Sequence, residues 1–514
     1  MTLDKASLDW AVDFVSTHSD GDLFPMIPEM EAIVNKRDDF VKLIEGKPLT
    51  SSFVPGAARR FIVPKDDFSY RQATQLDPQD SIILSAIIYQ YGQGIEDRRL
   101  AADQVFSYRF KPDPTIGLYS GDSAWNNFWA KAYALSQNCK IVLYCDIADF
   151  YNQIYHHVVE NQLIASNFPN QAIKWIISLL ESTTAGVSRG VPVGPHAIHL
   201  IAEATLIPID QSLQSLGLKF LRFADDLVFF CESETVARAT VGKIASILDK
   251  QQRLMLQRHK TQVYSPTSFQ QHCSRMIEDR PISEDEDSLI KIIRKYSNGN
   301  PYQVVLYSQI KPEDWAQILE TTIRNIIEEY LSQENVDYVR LRWFYRRLGQ
   351  VGHPGAIAVS LENIDRLGPC FANICLYLSS VQTITPEEWK VIGGKLLELL
   401  SRSEVQSNEY FGLSILSLFG RNAFLNHLAQ LIRMYPSAPP FARREILLAA
   451  KSASAHDWIR EHKEGYLLMD PWQQRAMIYC VSDLPKDEKN YFINNICTLS
   501  RPFDMVLAKW SKSI

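Results

Sequence analysis

The chain has no Cys-x-x-Cys pair, and no histidine stands at zinc-ligand spacing from any of its eight cysteines, which argues against the common structural zinc modules. Cys139, Cys145, Cys231, Cys273, Cys370, Cys375, Cys480 and Cys497 therefore read as reduced, mostly core thiols of a cytoplasmic protein. No basic segment followed by an apolar run opens the chain, and nothing approaches the roughly 18 continuous apolar residues of a membrane span. A soluble protein with no membrane partner is expected. An excess of positive charge is missing too. Lys and Arg number 53 against 59 Asp and Glu, a net charge of −6 over 514 residues, which argues against a broad nonspecific duplex-binding surface but allows a local basic groove.

What is present divides the chain into two expected domains, 1–280 and 281–514. The first mixes strands and helices. "RRFIVP" and "KIVLYCD" are short β-branched or aromatic runs, and "LKFLRFADDLVFFCE" reads as strand, tight turn, strand, with Leu221, Phe223, Val228 and Phe230 alternating. "DSIILSAIIYQYGQGI" and "PHAIHLIAEATLIPIDQSL" read as helices, the second with Pro195 at the first helical position. The acidic, turn-prone stretch "SRMIEDRPISEDEDSL" marks the boundary.

Beyond about residue 310 the strand signal fades. "KPEDWAQILETTIRNIIEEYL" predicts one helix whose apolar face carries Trp315, Ile318, Leu319, Ile323, Ile326, Ile327, Tyr330 and Leu331. "TPEEWKVIGGKLLELL" opens the same way, with Thr385 as cap and Pro386 in the first turn. "APPFARREILLAA" and "MDPWQQRAMIYC" are weaker echoes, and together they suggest an irregular array of helix pairs.

Two adjacent aspartates, Asp225 and Asp226, lie between the apolar runs of the hairpin, where their mutual repulsion is costly. A second apolar strand, "IVLYCD", ends at Asp146. Carboxylates delivered at the ends of rigid strands are what two divalent cations ~3.5–4 Å apart require for phosphoryl transfer, and those cations would cancel the repulsion. All-oxygen ligands favour Mg2+, with Mn2+ as a substitute. In this reading Asp146 and Asp225 bridge the ions and Asp226 flanks them. One ion activates an attacking hydroxyl while the other neutralises departing pyrophosphate.

In order along the chain, "IVLYCDIADFY", "GVPVGPHAIHLIAEATL", "LRFADDLVFF" and "LMLQRHKTQVYS" resemble the palm motifs of reverse transcriptases, and "RRFIVPKDDFSYRQATQLDPQD" resembles their fingers segment. The resemblance covers about residues 55–265. It implies an α+β fold, an N-terminal helical segment with fingers and palm, followed by an all-α helical-repeat (HEAT-like) domain in place of the thumb. It implies deoxynucleoside triphosphates as substrates, catalysis by Asp146, Asp225, Asp226 and Lys260, and metal ligation by Asp146, Ile147, Asp225 and Asp226. Lys65 and Arg71 would grip the triphosphate, Lys260 would act as general acid to the pyrophosphate, and Tyr151 would be the steric gate that excludes a 2′-hydroxyl. Gly194 would allow close backbone approach to the nucleotide. Val193 departs from the family, which most often has glutamine there, so apolar contact would replace a hydrogen bond to the nucleotide. His156, His157, His196 and His199 carry no motif support and are expected to be structural.

Val193, the extension "IADFYNQIYHH" and the helical tail resemble the bacterial abortive-infection reverse transcriptases, with the P2-prophage branch nearest in plan. That resemblance implies antiphage defence by untemplated DNA synthesis, priming from a protein hydroxyl, a single-stranded DNA product covalently attached, and a homo-oligomer, trimer or hexamer. No RNase H, protease, integrase or zinc-endonuclease signature accompanies it. Two alternatives stand beside it: RNA-templated synthesis of the retron kind, and a non-catalytic helical-repeat scaffold or phage sensor.

Overall fold

The computed structural model describes residues 2–18, 23–113, 117–121, 123–277, 281–297, 305–495 and 499–514. Cys497 and residues 278–280 of the expected domain boundary lie outside them. The seven described cysteines are free thiols, six of them buried. Among the described residues no helix is long and apolar enough to cross a membrane.

Contacts divide the chain into two compact units, neither continuous in sequence. The first comprises Met1–Arg60, Thr74–Ile277 and Arg501–Phe503. The second comprises Phe61–Ala73, Glu278–Ser500 and Asp504–Ile514.

Among the described residues there are eight strands, β1 (Arg59–Pro64), β2 (Tyr70–Gln75), β3 (Phe110–Asp113), β4 (Gly117–Tyr119), β5 (Ile141–Asp146), β6 (Phe220–Phe223), β7 (Asp226–Cys231) and β8 (Gln262–Tyr264). β1 pairs with β2 and β3 with β4. The remaining four form an antiparallel sheet of order β6-β7-β5-β8 at the heart of the first unit.

Side-chain alternation along this sheet sorts its two faces. Val142 and Tyr144 of β5, Val228 of β7 and Leu221 of β6 enter one apolar cluster with Phe128, Trp129 and Ala132 of the helix Ala124–Ser136 and with Phe269 and Cys273 of the helix Pro266–Met276. The opposite face, with Leu143, Phe229 and Cys231, is covered by the helix Glu234–Gln252. By the same parity Asp146 and Asp226 share the face of Val142 and Val228.

The expected helix at "DSIILSAIIYQYGQGI" forms as Pro78–Tyr91. It is capped by Asp77, whose side chain accepts from the Gln79 amide. Arg501 closes on this cap, with Nη2 at 2.9 Å from both Asp77 Oδ1 and Asp80 Oδ1. The helix His196–Ser215 also forms, but Pro195 is its cap rather than its first helical residue. Its ψ of 125° is extended, while its carbonyl accepts from the Ile198 amide at 3.1 Å and so joins the first turn.

In the second unit the helices Tyr338–Val351, Phe371–Ser380, Glu409–Arg421, Pro440–Ser452 and Pro471–Cys480 pack each on the next, so the carboxy-terminal region is helical throughout its described length. Thr385 caps Pro386–Leu400 with a reciprocal box, its hydroxyl accepting from the Glu388 amide while the Glu388 carboxylate accepts from the Thr385 amide.

The expected single helix at "KPEDWAQILETTIRNIIEEYL" is instead two, Pro312–Trp315 and Glu320–Ser332. Turns close over Ala316–Ile318 by three-residue hydrogen bonds, and Leu319 is extended. Trp315 packs against the rings of Tyr307 and His353, 4.6 Å from each, while Ile323, Ile326 and Ile327 enter the main cluster. The periodic face thus stays with one cluster across the break, Ile318 inside it and Trp315 packed against it.

The tip of the β1–β2 hairpin, Phe61–Ala73, belongs to this helical unit. The Phe61 ring lies 5.9 Å from Phe441 and 6.5 Å from Tyr410, the Tyr338 hydroxyl donates to Asp67, and Arg342 donates to the Lys65 carbonyl at 3.2 Å.

Candidate active site

The register of β5 against β7 sets the site. Asp146 is directly opposite Asp226, so the two carboxylates are cross-strand neighbours on one face, with β-carbons about 5 Å apart. Asp146 is 4% exposed; Asp225 and Asp226 are half-buried. Tyr144, two residues before Asp146 and on the same face, donates its hydroxyl to Asp226 Oδ1. Burial and then the charge of Asp225 push the Asp226 carboxyl well above the usual carboxylate range, against the help of the Tyr144 hydrogen bond. The same surroundings push the Tyr144 phenol upward, burial first and the Asp226 charge next, so it stays protonated and able to donate.

Asp225 sits on the β6–β7 turn behind Ala224, whose φ of 49° is left-handed and costs a non-glycine residue about 1 kcal/mol. Three main-chain groups at and beside that strained residue are engaged. Ala224 N–H donates to Ser107 Oγ at 2.8 Å, Ala224 O accepts from Arg222 Nη1 at 3.0 Å, and Asp225 O accepts from the Ile147 amide at 3.1 Å. Ile147 can therefore join a ligand set only through its main-chain carbonyl, because its side chain is apolar and buried.

Lys260 ends a short turn of helix, Arg258–Lys260, just before β8, and its ammonium donates to Asp146 Oδ2. The amide of Gln257 donates to Asp146 O at 2.7 Å, latching this segment to the end of β5. Burial pulls the Lys260 ammonium down. The hydrogen bond and charge of Asp146, with the charges of Asp226 and Asp225, outweigh that and raise it, so it remains protonated.

Tyr151 opens onto a layer of rings. Its hydroxyl and His199 Nδ1 share a hydrogen bond of 2.6 Å, and the His199 ring stacks on Tyr108 at 4.2 Å and 8°. Burial, then the nearby Tyr108 and Glu203 and the more distant Tyr119 and Asp225, push the Tyr151 phenol well up. His199 was not legible as part of the site because nothing in the sequence links it to a residue 48 positions earlier. His156 is buried, with Nε2 2.9 Å from the Gly190 carbonyl.

The "GVPVGP" loop is stitched to the Tyr151 segment by Val191 N–H donating to Tyr151 O at 2.9 Å. The Val193 carbonyl accepts from the Thr74 amide at 2.8 Å. Gly194, with φ of 130°, lies so close to the Thr74 carbonyl that a β-carbon would meet it at 3.0 Å, which explains the glycine here. The first unit therefore gathers Asp146, Ile147, Tyr151, Val193, Gly194, Asp225, Asp226 and Lys260. Lys65 and Arg71, both exposed, stand on the hairpin tip in the second unit.

The donor set of the three aspartates is all hard oxygen, crowded enough to raise the Asp226 carboxyl, and so fits a divalent cation in chemistry. Among the described residues, however, no group of three or more His, Cys, Asp or Glu side chains converges tightly enough to hold a metal. Asp146 is turned to Lys260 and Asp226 to Tyr144. A cation would therefore compete with Lys260 for Asp146.

Residues 63–295 match the family model "Reverse transcriptase (RNA-dependent DNA polymerase)", a range that holds every candidate residue above. The matched stretch, somewhat under half of the chain, is similar to a reverse-transcriptase domain. A reverse-transcriptase domain is a polymerase, a nucleotidyltransferase that takes nucleotides and makes nucleic acid. No curated protein sequence matches the chain. Among solved structures, apo telomerase from Candida tropicalis is similar over 74% of this chain and 73% of its own, with 11% identity and a TM-score of 0.34. Telomerase from Candida albicans in complex with a fragment of telomeric RNA is similar over 73% and 68%, with 11% identity and a TM-score of 0.30.

Proposed function

We propose that this reverse-transcriptase domain joins deoxynucleotides in phage defence, without copying a template and starting from a hydroxyl of the protein itself. The observation that carries a synthetic activity is the cross-strand pair Asp146 and Asp226, with Asp225 on the strained turn beside them, inside the matched range. Asp146, Asp225, Asp226 and the Ile147 carbonyl would hold Mg2+ or Mn2+, which supplies activation of the attacking hydroxyl and neutralisation of pyrophosphate. Lys260 carries a proton within reach of the carboxylates and is the donor for the leaving pyrophosphate. Tyr151, buttressed by His199, presents a fixed ring to the sugar and selects deoxynucleotides. Lys65 and Arg71 grip the phosphates, a point charge and a fork.

Support for untemplated, protein-primed synthesis comes from the sequence. Val193 offers no side-chain hydrogen bond to a paired base, and in sequence a helical region from about residue 281 follows the palm-like motifs in place of a thumb. The serial packing of its helices suits a HEAT-like array that stacks the emerging strand or mediates a trimer or hexamer.

The test is to incubate purified protein with Mg2+ and labelled deoxynucleotides, without template or primer. Label that survives denaturation and is released by protease supports the reading. Label free of protein refutes self-priming, and product copied from a copurifying RNA refutes untemplated synthesis.

A further inference from the structure

Behind the aspartate turn lies a buried ionic network that the sequence does not announce. Arg222, on β6 and 1% exposed, turns to the sheet face opposite the aspartates. There it makes a fork to Asp210, Nε to Oδ1 at 2.7 Å and Nη2 to Oδ2 at 2.6 Å, and a second set of bonds to Glu203 at 3.0–3.2 Å. Glu203 and Asp210 are seven residues apart on the helix His196–Ser215, hence on one face of it. Glu203 also accepts from Arg99 Nη2 at 2.7 Å and from Ser107 Oγ at 2.6 Å.

Burial raises the Glu203 carboxyl, but Arg222 and Arg99 outweigh it and hold it lowered, whereas at Asp210 burial outweighs Arg222 and the carboxyl is raised. Charges buried at this density are weak evidence of stability, since their desolvation offsets most of their attraction. Such a network is better evidence of fixed geometry. Two of its bonds end on one residue: Ser107 accepts the N–H of Ala224 and Arg222 donates to its carbonyl. Ala224 is the left-handed residue that immediately precedes Asp225.

We propose that Ser107 and Arg222, acting through Ala224, are positioning residues that set the direction of the Asp225 carboxylate and with it the affinity of the carboxylate site for a divalent cation. This rests on the reading that Asp146, Asp225 and Asp226 hold metal. Partners of this kind around metal sites change affinity by about 10- to 100-fold when removed.

The experiment measures Mn2+ binding to the full chain by electron paramagnetic resonance, in the absence of nucleotide, alongside thermal melting. Ser107→Ala is expected to stay folded and to weaken Mn2+ binding by about 10-fold. Adding Ala224→Gly, which makes the left-handed turn free of strain, is expected to recover part of that loss without raising Mn2+ affinity in an otherwise wild-type chain. A folded Ser107→Ala protein with wild-type affinity overturns the proposal while leaving the metal site standing. No recovery in the double variant overturns the route through Ala224. A wild-type chain that binds no Mn2+ more tightly than Asp225→Ala removes the metal reading itself, and this inference falls with it.

Discussion

The phenol of Tyr151 and Nδ1 of His199 lie 2.6 Å apart, and the same imidazole stacks on Tyr108. The ring proposed to contact the sugar is thus held from behind by a residue of the helix His196–Ser215. Tyr151→Ala should admit ribonucleotides. His199→Leu keeps the ring but removes its tether, and is expected to lower the ratio of kcat/KM for deoxy- over ribonucleotides by roughly 10-fold. Competition between labelled dNTP and rNTP reads this directly.

The aspartate pair should show opposite effects on activity and stability. Asp225→Ala with Asp226→Ala is expected to abolish incorporation. It also removes a carboxylate that burial and its neighbour have raised, so melting should stay unchanged or rise by about 2–4 °C. A folded double variant that still synthesises DNA would sink the assignment.

The hairpin tip is seated on the helical unit by Tyr338, whose hydroxyl donates to Asp67 and to the Arg366 carbonyl. If Lys65 and Arg71 grip phosphates from this tip, loosening its seat should act on nucleotide binding. Tyr338→Phe is expected to raise KM for dNTP about 3- to 10-fold with kcat nearly unchanged, the loss of one hydrogen bond to a charged group. Steady-state kinetics over a dNTP series would decide it.

His353 supplies a pH dependence. Burial lowers its pKa from 6.5 to about 4, and its Nδ1 accepts from the Gly355 amide at 3.1 Å. Between those values the unfolded chain binds the proton and the folded chain does not. Stability from this group is therefore complete above about pH 6.5 and lost as pH falls toward 4, by up to ~3 kcal/mol. His353→Asn keeps an acceptor for the same amide but does not titrate, so its melting temperature should fall less than the wild type's over that range.

The strands ending at Asp146 and flanking Asp225 and Asp226 were legible because a two-residue period in apolar residues is local. So was the Thr385 cap, whose partner Glu388 is three residues on. The break after Trp315 was not, because a three- and four-residue period is the same for one helix as for two helices that bury the same stripe. Nor was the network on Ala224. Ser107, Glu203 and Arg222 lie up to 117 residues from the atoms they bond, and each alone reads as an ordinary polar residue. Lys65 and Arg71 were visible as a pair of charges, but the attachment of their hairpin to Tyr338, Arg342 and Phe441 depends on pairings over roughly 270 to 380 residues.

Because each unit borrows a segment from the other's stretch of chain, the molecule does not come apart at a single cut. A fragment ending near residue 280 would leave Phe61 without Tyr410 and Phe441, and would strip the helix Pro78–Tyr91 of Arg501, leaving Asp77 and Asp80 facing each other with no cation between them. Expressed alone, either half should therefore be sticky and poorly soluble, whereas a chain nicked by protease near residue 280 should keep both pieces together through purification.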